Sequence, residues 1–500
     1  MIYTNLLIFL TAIFLFSVAS VPAEPIYSLF ESLLVLVLLA VLFGYASYKV
    51  FSRPSARSSA GYFGAEKRMS FVSLLFFAAA LYATDLKYYL SWFSAGDRLS
   101  AGTNAAGLVV FLLFLSIMWL AGRRNYGSVF GRQYSRVDFV WLNVRSNLPI
   151  VIPWVALSFV YDLMLLLPFQ AVHTLLESSW GDIVFIAFFL VFVMLFFPPL
   201  VRRLWGCRRL PDGPLKQHLV EFCAKQNFNA DLYLWPLFEG RVLTAGVMGM
   251  LPGIRYILLT PAIIETMSIE ELEAVMAHEI GHVKKKHLLL YVVLIGGFSL
   301  LAGVLAEPLL YHLFSYDWVF SLTTSENMSP DTLMGVVGGV PLLFFMLLYF
   351  RFIFGYFIRN FERQADAYVF KVLDSSRLLI SAFDKIAGVG GQERDKPSWH
   401  HFSIAERVEY LEHCERDRSW ISRQDRKVFT SLVVYLVLLG AAVGLGSRIP
   451  TDQMALEYDK KYFELFLMDK DDAVGDKALW YRAIGDLMIN RGMEQRALVA

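Results

Sequence analysis

The sequence has little cysteine and few charged residues. Its cysteines, Cys207, Cys223 and Cys414, form no CxxC pair, so neither a disulfide framework nor a cysteine-based zinc site is expected. Charged residues make up 18% of the chain, against about 25% in a soluble domain. Basic residues (45) and acidic residues (44) nearly cancel, and the net charge of +1 provides no field to hold a nucleic acid.

Hydrophobic residues are abundant instead, at 57% of the 500 residues. A helix needs about 20 mostly apolar residues to cross the hydrocarbon core of a membrane. Stretches of about this length occur at 3–21, 28–48, 70–92, 105–122, 148–168, 182–201, 288–311, 334–357 and 428–446. We therefore expect a mainly α-helical, polytopic membrane protein with about nine spans.

The distribution of arginine and lysine predicts the orientation. These residues cluster after the second, fourth and sixth stretches and before the ninth. Short loops rich in them stay in the cytoplasm, so we expect the N-terminus inside and the C-terminus outside. We also expect the membrane to be a bacterial inner membrane. Cleavage of the first stretch as a signal peptide is the alternative. It lacks a basic segment in front, and Pro22 lies in its only cleavage candidate.

Two polar blocks interrupt the hydrophobic pattern, and both fall on the predicted cytoplasmic side. We expect one small α+β domain made of both blocks. The predicted parts are an N-terminal membrane domain of about six spans (1–201), the first cytoplasmic block (202–287), a membrane hairpin (288–357), the second cytoplasmic block (358–427), a last span (428–446) and an outside tail (447–500).

The tail has two interpretations. Small residues within 478–500 match the spacing of a tetratricopeptide repeat. A lone repeat cannot bury its own apolar face and would need a protein partner. A generic amphipathic hairpin is the slightly favoured alternative.

The first polar block carries a metal-binding pattern. Ser268 and Glu271 form a capping box, which predicts the start of a helix. On that helix His278 and His282 are four residues apart and share one face, where two imidazoles can bind one zinc ion. Glu279 lies about 100° round the helix, where a carboxylate can take a proton from water without binding the metal.

The second polar block supplies candidates for a third ligand, because two histidines leave zinc under-coordinated. The best candidate is Glu362, which shares a helix face with Asp366. One of the two can bind the metal while the other accepts an imidazole N–H. The predicted hairpin between His282 and Glu362 returns the chain to the same side of the membrane. The pattern predicts one zinc ion per chain and peptide hydrolysis by zinc-activated water, with Glu279 as the general base.

Together these motifs resemble the integral-membrane zinc metallopeptidases, which include the CaaX prenyl endoproteases and the bacterial heat-shock membrane proteases. The resemblance covers about 215–415 and includes a third segment, His401-Phe-Ser-Ile-Ala-Glu-Arg407, similar to the family's His-Pro-Pro-x-x-Glu-Arg. It implies a zincin-like (gluzincin) protease domain in which Glu362 is a zinc ligand and Asp366 orients a ligand histidine. It also implies that His401 and Arg407 face the substrate and stabilise the developing oxyanion.

Two departures from the family pattern concern the substrate. In the edge strand that pairs with substrate in the family, this chain has Thr244, Ala245 and Gly246, and Thr244 replaces the usual Asn. Phe402 and Ser403 replace two prolines.

We expect the protein to cleave protein or peptide substrates close to the membrane lipid. Trimming of prenylated proteins is the alternative enzyme function, and a zinc-containing membrane scaffold or transporter without proteolysis is the alternative from another class.

Two further polar residues lie outside these motifs. His287 follows three lysines just before a predicted span, and we expect it at the membrane interface rather than on the metal. Asp162 lies inside the fifth predicted span, where a functional carboxylate and a buried, hydrogen-bonded one are equally expected.

Overall fold

The structure is a computed structural model that describes all residues except 1, 20, 22–24, 95–98, 177, 179–180, 325–329, 391–401 and 469–500. It divides into two compact units. The first contains Met1–Ser299 and Leu343–Val437, and the second contains Leu300–Leu342 and Leu438–Ala500. The tail segment 478–500, with its predicted repeat, lies outside the described residues.

A bundle of α-helices forms the N-terminal part of the first unit. Aromatic side chains fill its centre, and Phe43, Phe111 and Phe114 are fully buried there. The helices are α1 (Ile2–Val18), α2 (Leu29–Phe51), α3 (Ser59–Tyr82), α4 (Leu86–Ser91), α5 (Ser100–Phe130), α6 (Arg136–Leu166), α7 (Gln170–Leu176) and α8 (Gly181–Leu204).

The expected mainly helical membrane fold is confirmed, with somewhat fewer candidate spans than nine among the described residues. Seven described helices are long and apolar enough to cross a membrane, or eight if one bent pair counts as a single span. The stretch 3–21 forms the short helix α1, whose apolar part is Asn5–Val18. Its residues Ile8, Phe9 and Phe16 are buried inside the bundle, so protein packing accounts for much of its apolar character.

The third predicted span, 70–92, is the bent pair. Helix α3 ends at Tyr82, and the chain turns by 82° into Leu86–Ser94. At the bend Thr84 donates a hydrogen bond to the Ala80 carbonyl and accepts one from the Leu86 amide, so its hydroxyl satisfies backbone groups that the break exposes.

Asp162 has a structural role. Its carboxylate accepts hydrogen bonds from the Ser100 hydroxyl and the Ala101 amide, both at 2.8 Å. These groups belong to the first turn of α5, where amides lack helical partners and a negative charge is stabilising. Of the two interpretations of Asp162, the structure supports the buried, hydrogen-bonded one.

A four-stranded sheet follows the bundle, with strand order β1-β2-β4-β3. Its strands are β1 (Arg208–Arg209), β2 (Asp231–Leu234), β3 (Ala245–Met248) and β4 (Tyr256–Leu259). The pair β2–β4 is parallel, and the pairs β1–β2 and β3–β4 are antiparallel. All four residues of β4 are buried, as an apolar central strand requires. Strand β3 therefore lies at an edge of the sheet.

The loop before β3 joins the sheet to the helical bundle. Phe238 and Glu239 have φ values of 46° and 59°, in the left-handed region that costs free energy for residues other than glycine. Phe238 stacks on Phe130, with ring centroids 5.7 Å apart. Glu239 accepts hydrogen bonds from Tyr126 and Arg132 at 3.1 and 2.9 Å. These contacts hold the strained loop in place.

The remaining helices complete both units. They are α9 (Pro214–Lys225), α10 (Pro261–Thr266), α11 (Ile269–Lys284), α12 (His287–Ser315), α13 (Asp317–Phe320), α14 (Pro330–Leu348), α15 (Gly355–Leu373), α16 (Arg377–Gly390), α17 (Ile404–Arg416), α18 (Ser419–Gly446) and α19 (Thr451–Met468). The segment Tyr349–Phe354 between α14 and α15 is π-helical. In the second unit, Phe314 and Phe320 pack around Tyr458.

Candidate active site

Helix α11 begins as the sequence predicts. The Ser268 hydroxyl accepts a hydrogen bond from the Glu271 amide, and the Glu271 carboxylate accepts one from the Ser268 amide. Glu271 also accepts a hydrogen bond from the Ser381 hydroxyl of α16 at 2.6 Å and pairs with Lys385. These contacts fix the N-terminal end of α11 against α16.

Farther along α11, a glycine allows close contact with α15. A Cβ atom added to Gly281 would lie 2.8 Å from the Cβ of Tyr368 and 3.2 Å from the Cα of Ala365, closer than side chains pack. Because Gly281 lies between His278 and His282 along the chain, the approach of the two helices brings both imidazoles next to Glu362 on α15.

Three donor groups, two imidazoles and one carboxylate, face one another at this contact. The Nε2 atoms of His278 and His282 are 3.3 Å apart. Glu362 places Oε2 3.7 Å from His278 Nε2 and Oε1 3.5 Å from His282 Nε2. Ligands at 2.0–2.2 Å from a tetrahedral zinc ion are separated by roughly 3.3–3.6 Å, so the donor types fit zinc and their spacing is within about 0.1 Å of this range. Three protein ligands leave one position open, as in catalytic rather than structural sites.

Asp366 lies behind the first histidine. Its Oδ1 atom is 2.9 Å from Nδ1 of His278, the ring nitrogen that does not face the other donors. Burial alone would lower the pKa of His278, but the adjacent Asp366 carboxylate raises it above its ordinary value. A carboxylate in this position fixes the imidazole tautomer that leaves Nε2 free to bind a metal.

Arg407 reaches the site from α17. It donates two hydrogen bonds to Asp366, and its Nη2 atom lies 3.6 Å from Oε2 of Glu362. Only 12% of its side chain is exposed, so Arg407 does not lie on a solvated face of α17. The nearby carboxylates raise the pKa of Arg407 despite its burial, and the guanidinium stays charged. Its role on the oxyanion, implied by the resemblance, remains a prediction.

Glu279 lies beside the donor cluster and next to the sheet. Burial raises the pKa of Glu279 above its ordinary value, which makes its carboxylate a stronger proton acceptor. The nearby backbone amide of Val247 opposes part of this rise in the pKa of Glu279. Val247 lies in the edge strand β3, and α11 packs against this strand, so the candidate base lies near the strand where a substrate is expected to pair.

The residues expected to pair with substrate lie at the start of this edge strand. Ala245 and Gly246 are the first residues of β3, and Thr244 directly precedes it. The Thr244 carbonyl accepts a hydrogen bond from the Thr260 amide, which continues the ladder with β4. A Cβ atom added at Gly246 would meet no atom within 4 Å, so there is open space beside the strand here.

His401 lies outside the described residues, and Arg407 lies in α17. Phe402 and Ser403, which stand where the family has two prolines, have structural roles of their own. Ser403 caps α17 and forms a capping box with Glu406. The Phe402 ring lies under the Arg363 guanidinium, 3.8 Å from ring centroid to Cζ.

His287 is the first residue of the candidate span α12, but its side chain is buried in the protein rather than exposed to lipid headgroups. This residue is fully buried, and its Nδ1 atom lies 3.0 Å from Nδ1 of His282. Its Nε2 atom lies 3.2 Å from Oε1 of Gln364. The three preceding lysines suggest a lipid headgroup contact, and the five-residue interval after His282 gives no signal of the contact between the two histidines, because the chain turns at Lys286.

Comparison with known proteins gives the family. The crystal structure of S. mikatae Ste24p matches with a TM-score of 0.39 and 18% sequence identity, over 78% of this chain and 100% of that one. No curated protein matches the chain significantly. Residues 210–415, which contain every described residue of the donor cluster, match Peptidase family M48. Residues 210–415 are a zinc metallopeptidase segment of family M48 within a multi-span membrane protein.

Proposed function

We propose that the protein is an endopeptidase, with one zinc ion per chain, that cleaves membrane or membrane-associated proteins close to the bilayer. The observation that carries this proposal is the position of Glu279, on the helix that packs against the edge strand β3 and next to the donor cluster. A structural metal site would need neither a base nor a substrate strand beside it.

His278, His282 and Glu362 would hold the zinc ion, which when bound makes water more acidic and a carbonyl more electrophilic. Glu279 accepts the proton of the attacking water at its carboxylate and then delivers it to the leaving amine. Asp366 keeps His278 in the tautomer that exposes Nε2.

The edge strand and the loop before α17 are proposed to hold the substrate. An extended peptide can add to β3 by main-chain hydrogen bonds, which places a scissile bond beside Glu279. Arg407 has five N–H groups and uses two of them on Asp366, so three remain for a developing oxyanion. We propose that His401 acts there with Arg407, by resemblance to the family.

The position of the candidate zinc ligands along the chain, close to or within candidate membrane spans, supports a membrane-associated substrate. His282 lies five residues before the start of α12, and Glu362 lies in α15. Both α12 and the helix Gly335–Leu373, which includes α15, are candidate membrane spans. We further propose that the site faces the cytoplasm of a bacterial cell, and that the sequence-based division into membrane blocks and a two-part protease domain holds.

Cleavage of paired substrates tests this function. The purified protein, reconstituted with zinc in vesicles, is given a membrane-anchored protein and the same protein without its anchor. We expect internal cleavage, identified by mass spectrometry, and faster cleavage of the anchored form. Removal of single terminal residues, or equal cleavage of both forms, would contradict the proposal. A prenylated peptide and its unprenylated counterpart, tested in parallel, identify prenyl-protein trimming if only the prenylated peptide is cleaved.

A further inference from the structure

A chain of side-chain contacts leads from a candidate zinc ligand to the protein surface. His282 Nδ1 lies 3.0 Å from His287 Nδ1, and His287 Nε2 lies 3.2 Å from Gln364 Oε1. Gln364 Nε2 donates to Asp425 Oδ1 at 2.7 Å, and Lys285 pairs with the other oxygen of Asp425 at 2.7 Å. The contacts link α11, α12, α15 and α18.

Asp425, at the surface end of this series of contacts, determines the direction of every hydrogen bond in the series. An ionised Asp425 can only accept, so the Gln364 amide nitrogen faces it and Oε1 faces His287. An amide oxygen also only accepts, so His287 must carry its proton on Nε2. A neutral His287 then has a lone pair on Nδ1, which accepts from the Nδ1–H of His282.

This assignment leaves His282 with a lone pair on Nε2. That atom is the one 3.3 Å from His278 Nε2 and 3.5 Å from Glu362 Oε1. The tautomer needed to bind a metal through Nε2 is therefore the tautomer that the contacts to His287 require. His278 receives the same support from a carboxylate directly, whereas His282 receives it through two intermediate side chains.

A break in the backbone makes the contact between the two histidines geometrically feasible. On one continuous helix, residues five apart point about 140° away from each other. Here α11 ends at Lys284, and Lys286 adopts φ 61° before α12 begins at His287. The His287 ring is then held by stacking on Phe361, with centroids 4.6 Å apart and planes 8° from parallel.

We propose that His287 is a positioning residue that fixes the tautomer and ring orientation of His282 and thereby strengthens zinc binding, with Gln364 and Asp425 as the outer links. The inference rests on the proposed zinc site. It concerns metal affinity and ligand geometry, and it does not require His287 to touch the substrate.

Zinc affinity of three purified variants provides the first test, by chelator competition. His287→Phe keeps an aromatic ring for Phe361 but removes both nitrogens, and we expect a 10–100-fold loss of zinc affinity, as for other partners of ligand histidines. His287→Asn places an amide oxygen near the position of Nδ1 and should restore part of that affinity. His413→Phe, at a ring that stacks on Trp420 away from the site, is the matched control and should bind zinc normally.

The cobalt(II)-substituted protein adds a spectroscopic readout of ligand geometry. We expect His287→Phe to shift the visible absorption bands of bound cobalt, and His287→Asn to return them toward wild type. Unchanged zinc affinity and an unchanged cobalt spectrum in His287→Phe would overturn the proposal while leaving the proposed function intact. Failure of the wild type to bind zinc would instead contradict the proposed function.

Coupling between the links is the second test. Gln364→Leu removes the next link without touching a zinc ligand, and we expect it to weaken zinc binding like His287→Phe. The double variant should be no weaker than the single ones, since either change alone interrupts the chain. Strictly additive losses would mean independent packing effects and would overturn the inference. Thermal unfolding of each metal-free variant shows whether it is folded.

Discussion

Arg407 donates one hydrogen bond to each carboxylate oxygen of Asp366, from Nε to Oδ2 at 2.9 Å and from Nη2 to Oδ1 at 2.6 Å. The pair is buried, and Oδ1 of Asp366 also lies 2.9 Å from His278. Arg407 therefore supports a candidate zinc ligand through Asp366, whatever contact it makes with substrate. Its planar guanidinium suits this two-point contact better than an ammonium group does.

Replacing Arg407 with lysine should weaken zinc binding as well as turnover. Lysine keeps the charge but cannot contact both oxygens in the same way, so we expect roughly a tenfold loss of zinc affinity. Arg416→Lys, at an exposed residue of the same helix, is the control. If Arg407→Lys bound zinc normally and lost only turnover, the oxyanion would be the main partner of Arg407.

Glu279→Gln should retain zinc and lose proteolysis, because the amide keeps the shape of the side chain but cannot take a proton. We expect turnover to fall at least ~10²-fold, in the usual range for general base catalysis. Elemental analysis and a peptide cleavage assay measure the two effects. Glu273→Gln, on the same helix but paired with His218, should have normal turnover. Substantial activity in Glu279→Gln would rule out this base.

Glu362→Ala should lower zinc occupancy, because only two protein ligands then remain. Metal analysis after dialysis against a weak chelator would show this loss. Glu409→Ala, at an exposed glutamate of α17, is the matched control and should keep its zinc. Full occupancy in Glu362→Ala would direct the search for the third ligand to Asp366.

Glu271 should make stability depend on pH. Burial alone would raise the pKa of Glu271, but hydrogen bonds from Lys385 and Ser381 hold this pKa below its ordinary value. A carboxyl group with a lowered pKa in the folded state stabilises the protein above its unfolded-state pKa, near 4.5, and this stability is lost as pH falls through the folded-state pKa.

Glu271→Gln should therefore lower the free energy of unfolding at pH 7 by about 1–3 kcal/mol. The difference from wild type should shrink as the pH falls below the ordinary range for a carboxyl group. Thermal unfolding in detergent between neutral and acidic pH measures both effects. Glu265→Gln, at an exposed residue of α10, is the control, and an equally large, pH-independent loss in Glu271→Gln would contradict the assignment.

Local spacing was sufficient to predict the start of α11 and the shared face of its histidines. The capping box of Ser268 and the four-residue interval between His278 and His282 depend only on helix geometry. The strands β2 and β4 and most long apolar helices also have a local signal. These parts of the fold were therefore accessible from the sequence.

Other parts depend on packing that the sequence does not reveal. Hydropathy does not distinguish a helix that faces lipid from one buried by its neighbours, as α1 is. The buried position of His287 depends on the turn at Lys286, and lysine rarely adopts a positive φ. The partner of Arg407 is Asp366, 41 residues away, and no local pattern indicates that contact.

The position of β3 at the edge of the sheet has a consequence for substrate choice. A site that adds a strand to this edge recognises backbone amides and carbonyls, which all residues except proline offer in full. In a folded domain those groups are already paired, so the enzyme would favour segments that have lost their structure, largely irrespective of side chain. Proline at a position that must donate to β3 would then protect a nearby bond from cleavage.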